Sequence, residues 1–362
     1  MYLDLWQLTE DLTHWLLVDV LGAFFGWLGC HGIEGWLGSE NVLLVTTILI
    51  VALIVLIVGM LVSITLIWQE RKMLGRLMDR RGTMVGPIGL FQNFADAFKV
   101  LIKEHIVPKA ADSLVYHVSP VLIIGVSICM FVTIPYSPGF YMSDPDLGVI
   151  LTFALFGIIP FAVMLGAWAS NNKYSLIGGM RAGAQLIAYE VPLLLSVVGV
   201  VILTGSLNFF EIVQYQQDNI WLIVPMILGF FVFLVSMVAE LERTPFDLPE
   251  AEAELVEGWG TEYGGMRFGL LMMSEYVRGF VGASIATLLF LGGWDGPFLD
   301  VVPEGLWFLL KMFIVFGIII WMRGAMPRIR TDQILNMGWK RLLPLAAVNV
   351  FIAIIFKTMG WF

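Results

Sequence analysis

Apolar residues fill the chain in long blocks that are separated by shorter polar connections. Windows of about 20 mostly apolar residues, the length that a helix needs to cross a bilayer, occur eight times. They cover residues 42–68, 118–136, 147–169, 182–204, 220–239, 268–291, 305–322 and 342–360. Because lipid cannot satisfy free backbone N–H and C=O groups, each window is predicted to be helical. The predicted fold class is therefore an all-α integral membrane protein with about eight transmembrane helices.

The positions of the basic residues predict the orientation of these helices. Of the 20 Lys and Arg residues, all but Arg278, Lys311 and Lys357 lie in or at the ends of the odd-numbered connections. The positive-inside rule makes these connections cytoplasmic loops and puts both termini outside. The cytoplasmic loops cover about 69–117, 170–181, 240–267 and 323–341. We interpret Lys311 and Lys357 as snorkelling side chains whose ammonium groups reach water.

Residues 1–41 form an N-terminal segment, and residues 42–362 a single polytopic membrane domain. The segment contains no Lys or Arg, which argues against a signal peptide. Its apolar stretch 14–30 is interrupted by Asp19 and is interpreted as a surface or interfacial segment. A ninth span there is the alternative, and it would move the N-terminus inside.

The first cytoplasmic loop contains an amphipathic stretch, LFQNFADAFKVLIKE, over residues 90–104. Helical spacing puts Asp96, Lys99 and Lys103 on one face. The stretch is either an inner-surface helix whose charges meet water or headgroups, or a helix that lines the mouth of a site.

Composition limits the chemistry that this chain performs by itself. With 59% hydrophobic and 14% charged residues it is not a soluble globular domain, and no basic tract indicates nucleic-acid binding. Cys30 and Cys129 lack metal-site spacing, and the four histidines offer no pair for a haem. Dinucleotide and Walker A fingerprints are also missing from the sequence. Any redox chemistry is therefore expected on a neighbouring protein.

The acidic stretch 239–276 lies between two apolar windows, and only Arg243 and Arg267 oppose its charge. A carboxylate inside a bilayer costs roughly 2.5–3.5 kcal/mol on insertion scales, so such residues are candidates for proton or ion handling. Closely spaced carboxylates titrate jointly, and some are expected to hold protons at pH 7. The stretch contains nine carboxylates: Glu240, Glu242, Asp247, Glu250, Glu252, Glu254, Glu257, Glu262 and Glu275.

Local structure explains only part of this acidic stretch. Asp247, before Pro249, is predicted to cap a short helix, whose positive end would stabilise nearby acids. Capping does not explain Glu240 or Glu275, although Arg278 is expected to neutralise Glu275 from one helical turn away.

A further buried carboxylate is predicted in the fourth window. Glu190 lies about eight residues into this window, roughly 12 Å deep by helical rise, with no other charge in the span. Desolvation favours its neutral form, so it is interpreted as a proton site near neutral pH. A permanently protonated Glu in a structural hydrogen bond is the alternative.

Several motifs resemble one family. They are ERKMLGRLMDRRG, VGPIGLFQNFADAFKVLIKE, SNNKYSLIGGMRAGAQLIAYEVPL and above all TPFDLPEAEAELVEG. They resemble the quinone-module membrane subunit of respiratory complex I, which is called the H subunit in bacteria and subunit 1 in mitochondria. The resemblance covers about residues 68–291 in motifs, continues in topology to the C-terminus and omits residues 1–41.

The resemblance implies a subunit of a proton-translocating NADH (or deazaflavin or ferredoxin):quinone oxidoreductase in a prokaryotic plasma membrane, or less readily in an organellar inner membrane. The subunit would bind no cofactor or metal of its own and would have a quinone-like lipid as substrate. Its implied partners are the peripheral-arm quinone-site and iron–sulfur subunits, small membrane subunits, antiporter-like pump subunits and membrane lipid. One departure, RRGTMVGP in place of RxGPNxxGP, leaves the identity of the electron carrier open.

By motif, the resemblance assigns roles to named positions of this chain, with no catalytic residue among them. The implied proton-relay residues are Glu190, Glu240, Glu250, Glu252, Glu254, Glu262 and Glu275. The implied residues of the quinone entrance and the arm interface are Glu70, Arg71, Asp96, Arg243 and Asp247.

Two other functions stay open. The ion-conducting membrane subunit of an energy-converting hydrogenase would share these features without using quinone. A stand-alone ion transporter is disfavoured by the long amphipathic inner loop and by the acidic docking loop.

Overall fold

The computed structural model describes residues 5–22, 39–249, 252–297 and 302–360, without the side chains of residues 19–22, 252 and 253. Regular structure within these ranges is helical, apart from an isolated bridge between Ser137 and Phe140. The α-helices of the described ranges are α1 Leu5–His14, α2 Glu40–Leu77, α3 Phe91–Ile102, α4 Ser113–Thr133, α5 Gly148–Phe156, α6 Ile159–Ala169, α7 Lys173–Thr204, α8 Phe209–Asp218, α9 Ile227–Glu240, α10 Glu252–Leu255, α11 Met266–Phe290, α12 Glu304–Ala325, α13 Thr331–Met337 and α14 Leu343–Met359.

Six helical segments of the described chain are long and apolar enough to cross a membrane. They are α2, α4, α5 with α6, α7, α12, and α13 with α14. The predicted windows 220–239 and 268–291 coincide with α9, which has 14 residues, and with α11, which has 25 residues and carries Glu275 and Arg278. The all-helical class is confirmed, whereas the count of eight spans and the orientation of the termini stay predictions.

The helices run alternately between two ends of a bundle. We call the end that holds Leu77, Glu240 and Met266 the charged end, and the end that holds Thr133 and Phe290 the distal end. Helix α2 has 38 residues and is about 57 Å long at 1.5 Å per residue. It therefore continues past its apolar window and carries the ERK motif on rigid backbone at the charged end.

Two neighbouring sets of helices form the core. Helix α7 packs against α6, α9 and α14, while α11 packs against α2, α4 and α12. Between Val277 and Phe290 every residue of α11 is buried. A helix that is apolar or small on all sides is stable only when other helices surround it. Helix α11 is therefore the central element of its set, and its first turns reach the charged end.

Helix α3 matches the predicted amphipathic stretch but turns part of its polar face toward the protein. Asn93 donates a 2.9 Å hydrogen bond to the carbonyl of Ile64, and Asp96 forms an ion pair with Arg71. Asp96 therefore faces α2 instead of water or headgroups, whereas Lys99 is exposed. The outward face of α3 is apolar, with exposed Phe91, Phe94, Phe98, Leu101 and Ile102.

The N-terminal helix α1 packs along α2. The hydroxyls of Thr13 and Thr47 lie 2.8 Å apart, and the backbone N–H of Leu5 donates to the carbonyl of Gly139 over 2.9 Å. Residues 23–38, which include the second half of the stretch 14–30, lie outside the described residues. The choice between an interfacial segment and a ninth span therefore stays a prediction.

The snorkelling interpretation is wrong for Lys311. Its side chain is buried, with 7% exposure, and its Nζ donates to backbone carbonyls of the turn after α11. Lys357 differs, because its side chain is exposed near the end of α14 and its Nζ donates to the carbonyl of Ile202. The difference arises because Lys311 faces α11 and so meets protein on all sides.

Candidate functional site

A buried ion cluster connects four segments at the charged end. Glu70 on α2 is only 4% exposed, and its Oε1 lies 3.1 Å from Nη1 of Arg243. The Nε of the same arginine lies 2.7 Å from Oε1 of Glu275 on α11, and Arg323 from α12 also pairs with Glu70. A buried charge is tolerated only when it is paired and hydrogen-bonded. Arg243 provides this compensation for two carboxylates at once.

The loop after α9 holds Arg243 in this position. Gln185 on α7 donates two 2.9 Å hydrogen bonds from its Nε2, to the carbonyls of Ala239 and Phe246 on either side of the loop. The guanidinium of Arg243 also lies 4.7 Å from the centre of the Tyr276 ring, a cation–π contact. The loop is thus tied to both sets of helices, and the arginine is oriented from two sides.

A second group of buried charges lies next to the cluster. Glu240, Glu242 and Arg278 are each at most 3% exposed, and Arg278 donates to the backbone carbonyl of Glu240 over 3.3 Å. The charges of Arg278, Glu190 and Glu242 all act on the Glu240 carboxyl, and Glu242 in turn lies within reach of Glu275. The expected partner of Glu275 was Arg278, but its ion pair is with Arg243. The more distant residue prevails because the loop brings it alongside.

A cavity of about 40 Å³ joins the two groups. Its lining includes Glu242, Glu257, Trp259, Glu275 and Arg278. Glu242 Oε1 and Arg278 Nε are buried and make no hydrogen bond to another described residue. Because a cavity of roughly 10–15 Å³ accommodates a water molecule, this one has the space and the polar walls to hold water. Glu242 and Glu275 therefore line a common polar space.

Glu190 lies on the other side of Glu240, at a break between two helices. Its half-buried side chain lines an apolar crevice of about 370 Å³ together with Phe153 and Leu194. The break between α5 and α6 contains Gly157, and a Cβ there would come within 2.8 Å of Glu190 Oε1. Glycine at this position gives the carboxyl the space that it occupies.

The other predicted residues lie apart from the buried groups. Glu254 is exposed and lies 2.7 Å from Arg181, while Glu262 accepts a 2.6 Å hydrogen bond from Asn172. Glu250 and the side chain of Glu252 lie outside the described residues. Arg71 pairs with Asp96 at the junction of α2 and α3.

The capping role predicted for Asp247 stays a prediction, because residues 250 and 251, where the capped turn would lie, are outside the described residues. Among the described residues, Asp247 lies 2.9 Å from Arg328. This ion pair links the acidic loop to the segment that follows α12. Among the described residues, no three His, Cys, Asp or Glu side chains are arranged to hold a metal ion.

Comparison with known proteins identifies the family of the chain. The family model of NADH dehydrogenase matches residues 49–354 of the chain. The chain belongs to this family. Proteins named as the H subunit of NADH-quinone oxidoreductase are similar to it: that of Bacillus cytotoxicus is 47% identical over 296 residues, which cover 81% of this chain and 89% of the relative. Those of Bacillus thuringiensis and Bacillus anthracis are 48% identical, with the same coverage.

The match to the NADH dehydrogenase family includes every residue of the buried groups, since all of them lie between residues 49 and 354. Sequence reasoning assigned no role to three of these residues. Glu242 was visible only as one of nine acids, and Arg323 only as one basic residue of a cytoplasmic loop. Gln185 carried no signal, because its function depends on two carbonyls that lie 54 and 61 residues away along the chain.

Glu242 is expected to make the folding stability of the chain depend on pH. Burial raises the pKa of Glu242 to about 7, against the opposing charge of Arg278. An unfolded Glu has a pKa of about 4.3, so the folded chain binds more protons, and its stability falls as the pH rises from about 4.3 to 7. Glu242→Gln removes this titration. We expect the difference between the thermal midpoints of the variant and of the unmodified chain to increase in favour of the variant across this pH range. Above this range the difference should stay constant.

The measurement is thermal unfolding of the detergent-solubilised chain at pH values from 5 to 8. Glu254→Gln is the matched control, because Glu254 is exposed. If the Glu242→Gln and unmodified profiles run parallel over the whole range, Glu242 does not titrate as its burial requires.

Proposed function

We propose that the chain is the quinone-chamber membrane subunit of a proton-pumping respiratory oxidoreductase of the complex I type. The observation that carries the proposal is the row of buried charged groups, in a chain 47–48% identical to proteins named as the H subunit of NADH-quinone oxidoreductase. The row runs from Glu190 through Glu240 and Glu242 to Glu275, and Arg243 extends it to Glu70. Its proposed location is a prokaryotic plasma membrane, which the bacterial origin of the relatives and the apolar helices favour.

The row of carboxylates relays protons or charge. Neighbouring carboxylates in a poorly solvated site cannot all be ionised, so a change of charge at one changes the proton occupancy of the next. A negative charge that develops near Glu70 during quinone reduction would compete for Arg243. Glu275 would then lose part of its counter-charge and take up a proton from the Glu242 side. Repetition of this step along the row moves the change in proton occupancy toward Glu190.

The apolar surfaces around α2 support a quinone entrance. A groove of about 960 Å³ lies between α2 and α12 and contains Gln69, the residue before Glu70. The outward face of α3 is apolar and is attached to α2 by the Arg71–Asp96 ion pair. A lipid carrier has a long apolar tail and a polar head, so the tail fits these walls while the head reaches the Glu70 cluster.

The subunits expected to act with this chain follow from the proposed reaction. Redox cofactors belong to peripheral-arm subunits that dock on the charged end, where the basic and acidic loops provide polar contacts. Pump subunits in the membrane receive the change in proton occupancy beyond Glu190, whose crevice is open to a neighbour.

Quinone reduction by the intact membrane complex tests this function. We expect addition of a short-chain quinone to support NADH oxidation and proton movement to the side of the membrane opposite the charged end, and we expect a quinone-site inhibitor to block both. The two activities should fall together as the inhibitor is titrated, because reduction drives pumping. Proton movement that ignores both quinone and inhibitor would contradict the proposal and favour an ion-conducting protein of the hydrogenase type.

A further inference from the structure

The distal end of α11 terminates in a turn whose carbonyl groups point inward. Gly292 and Gly293 both have positive φ angles, 71° and 53°, which glycine adopts without strain. This turn directs the carbonyls of Leu291, Gly293 and Asp295 toward one point between α11 and α12. The last carbonyls of a helix carry partial negative charge, so this point attracts a cation.

Lys311 from α12 places its ammonium group at this point. Its Nζ lies 2.5 Å from the carbonyl oxygen of Leu291 and 3.1 Å from that of Gly293, and it also donates to the carbonyl of Asp295. The Trp221 ring lies 4.2 Å from Nζ, a cation–π contact. Three carbonyls match the three N–H donors of an ammonium group, so every proton on Nζ has an acceptor.

Other contacts fix the walls of this carbonyl cage independently of Lys311. The Nε1–H of Trp221 donates to Oδ2 of Asp295 over 2.8 Å. Gln216 on α8 accepts from the backbone N–H of Gly292 over 3.0 Å and donates to the carbonyl of Leu288 over 2.8 Å. Because these bonds do not involve Lys311, the cage is expected to keep its shape when that side chain is shortened.

We propose that the cage is a binding site for a primary ammonium ion, occupied in this protein by the side chain of Lys311. The bound cation ties α12 to the end of α11, the helix that carries Glu275 and Arg278. Lys311 therefore fixes the packing of α12 against the distal end of α11. Shortening its side chain should convert the occupied cage into a site for a free alkylammonium ion.

Chemical rescue tests this assignment. Lys311→Ala leaves room for an alkyl chain and an ammonium group, so we expect it to lower the thermal midpoint of the detergent-solubilised chain by roughly 5 °C, because hydrogen bonds to a charged group are lost. Millimolar n-propylammonium chloride should recover about half of this loss. Tetramethylammonium, which has no N–H donor, should recover none of it.

Four variants separate the cage from a general effect of amines. Lys311→Met fills the space without a charge and should be destabilised but insensitive to n-propylammonium. Lys357→Ala removes an exposed ammonium group and should behave like the unmodified chain. If Lys311→Ala fails to fold, Trp221→Phe and Trp221→Leu provide the test, since Phe keeps a ring over the cation and Leu does not. Equal stability of these two, normal stability of Lys311→Met, or failure of n-propylammonium to rescue a folded Lys311→Ala would each overturn the proposal.

Discussion

Arg243→Met is expected to destabilise the chain more than any other single substitution at the charged end. The methionine matches much of the arginine stem but removes the ion pair of Glu275 and leaves Glu70 with Arg323 as its remaining partner among the described residues. Removing one partner from a buried ion pair typically costs about 3–5 kcal/mol, because the remaining charge stays in a poorly solvated site. That loss is a large fraction of the total stability of a typical domain, which is about 5–15 kcal/mol. We therefore expect little of this variant to accumulate in the membrane.

The companion substitutions show whether charge is the cause. Arg243→Met with Glu275→Gln removes the stranded carboxylate together with its partner, so the double variant should accumulate better than Arg243→Met alone. Arg243→Lys keeps the charge but cannot reach two carboxylates with one planar group, and its level should be intermediate. The measurement is the amount of chain in membranes and its thermal midpoint after solubilisation. Normal accumulation of Arg243→Met would contradict the role of Arg243 as the shared counter-charge.

The sequence predicted the elements of the fold well, because the apolar windows carry that information directly. It predicted the partners of charged residues poorly, since partners depend on which loops lie side by side. Glu275 illustrates the difference: helical spacing favours Arg278, whereas the folded chain brings Arg243 from another segment. The snorkelling prediction for Lys311 was wrong for the same reason. Periodicity places Lys311 in a span but does not reveal the turn that surrounds it.

The sequence also predicted only part of the candidate site. Glu190, Glu240 and Glu275 stand out because carboxylates are costly within or beside apolar windows. Acids in a mainly polar loop give no such signal, and Glu242 and Glu254 look alike in the sequence. The structure separates them, since Glu242 is buried beside Arg278 whereas Glu254 is exposed beside Arg181. Burial, and not acidity, distinguishes the carboxylates of the proposed relay from those of the exposed loop.

Glu190→Gln is expected to abolish proton pumping by the intact complex while the chain still folds. Glutamine has nearly the same shape as glutamate, and the half-buried side chain at the helix break makes no ion pair that its loss would disrupt among the described residues. The variant removes the titratable group at the end of the row, beyond Glu240. Quinone reduction should persist at a reduced rate, because we propose that its chemistry takes place near Glu70, at the other end of the row. Proton movement per quinone reduced is the quantity to measure.

Two further variants make the Glu190 experiment decisive. Glu254→Gln removes a carboxylate that the family resemblance assigns to the relay but that is exposed in the structure, so it should leave pumping nearly unchanged. Gly157→Ala keeps Glu190 but places a methyl group where a Cβ would lie 2.8 Å from its Oε1, and it should lower coupling by displacing the carboxyl. Normal pumping by Glu190→Gln would refute the relay role of this residue. Normal pumping by Gly157→Ala alone would mean that the carboxyl relays protons from more than one position, because the row then tolerates its displacement.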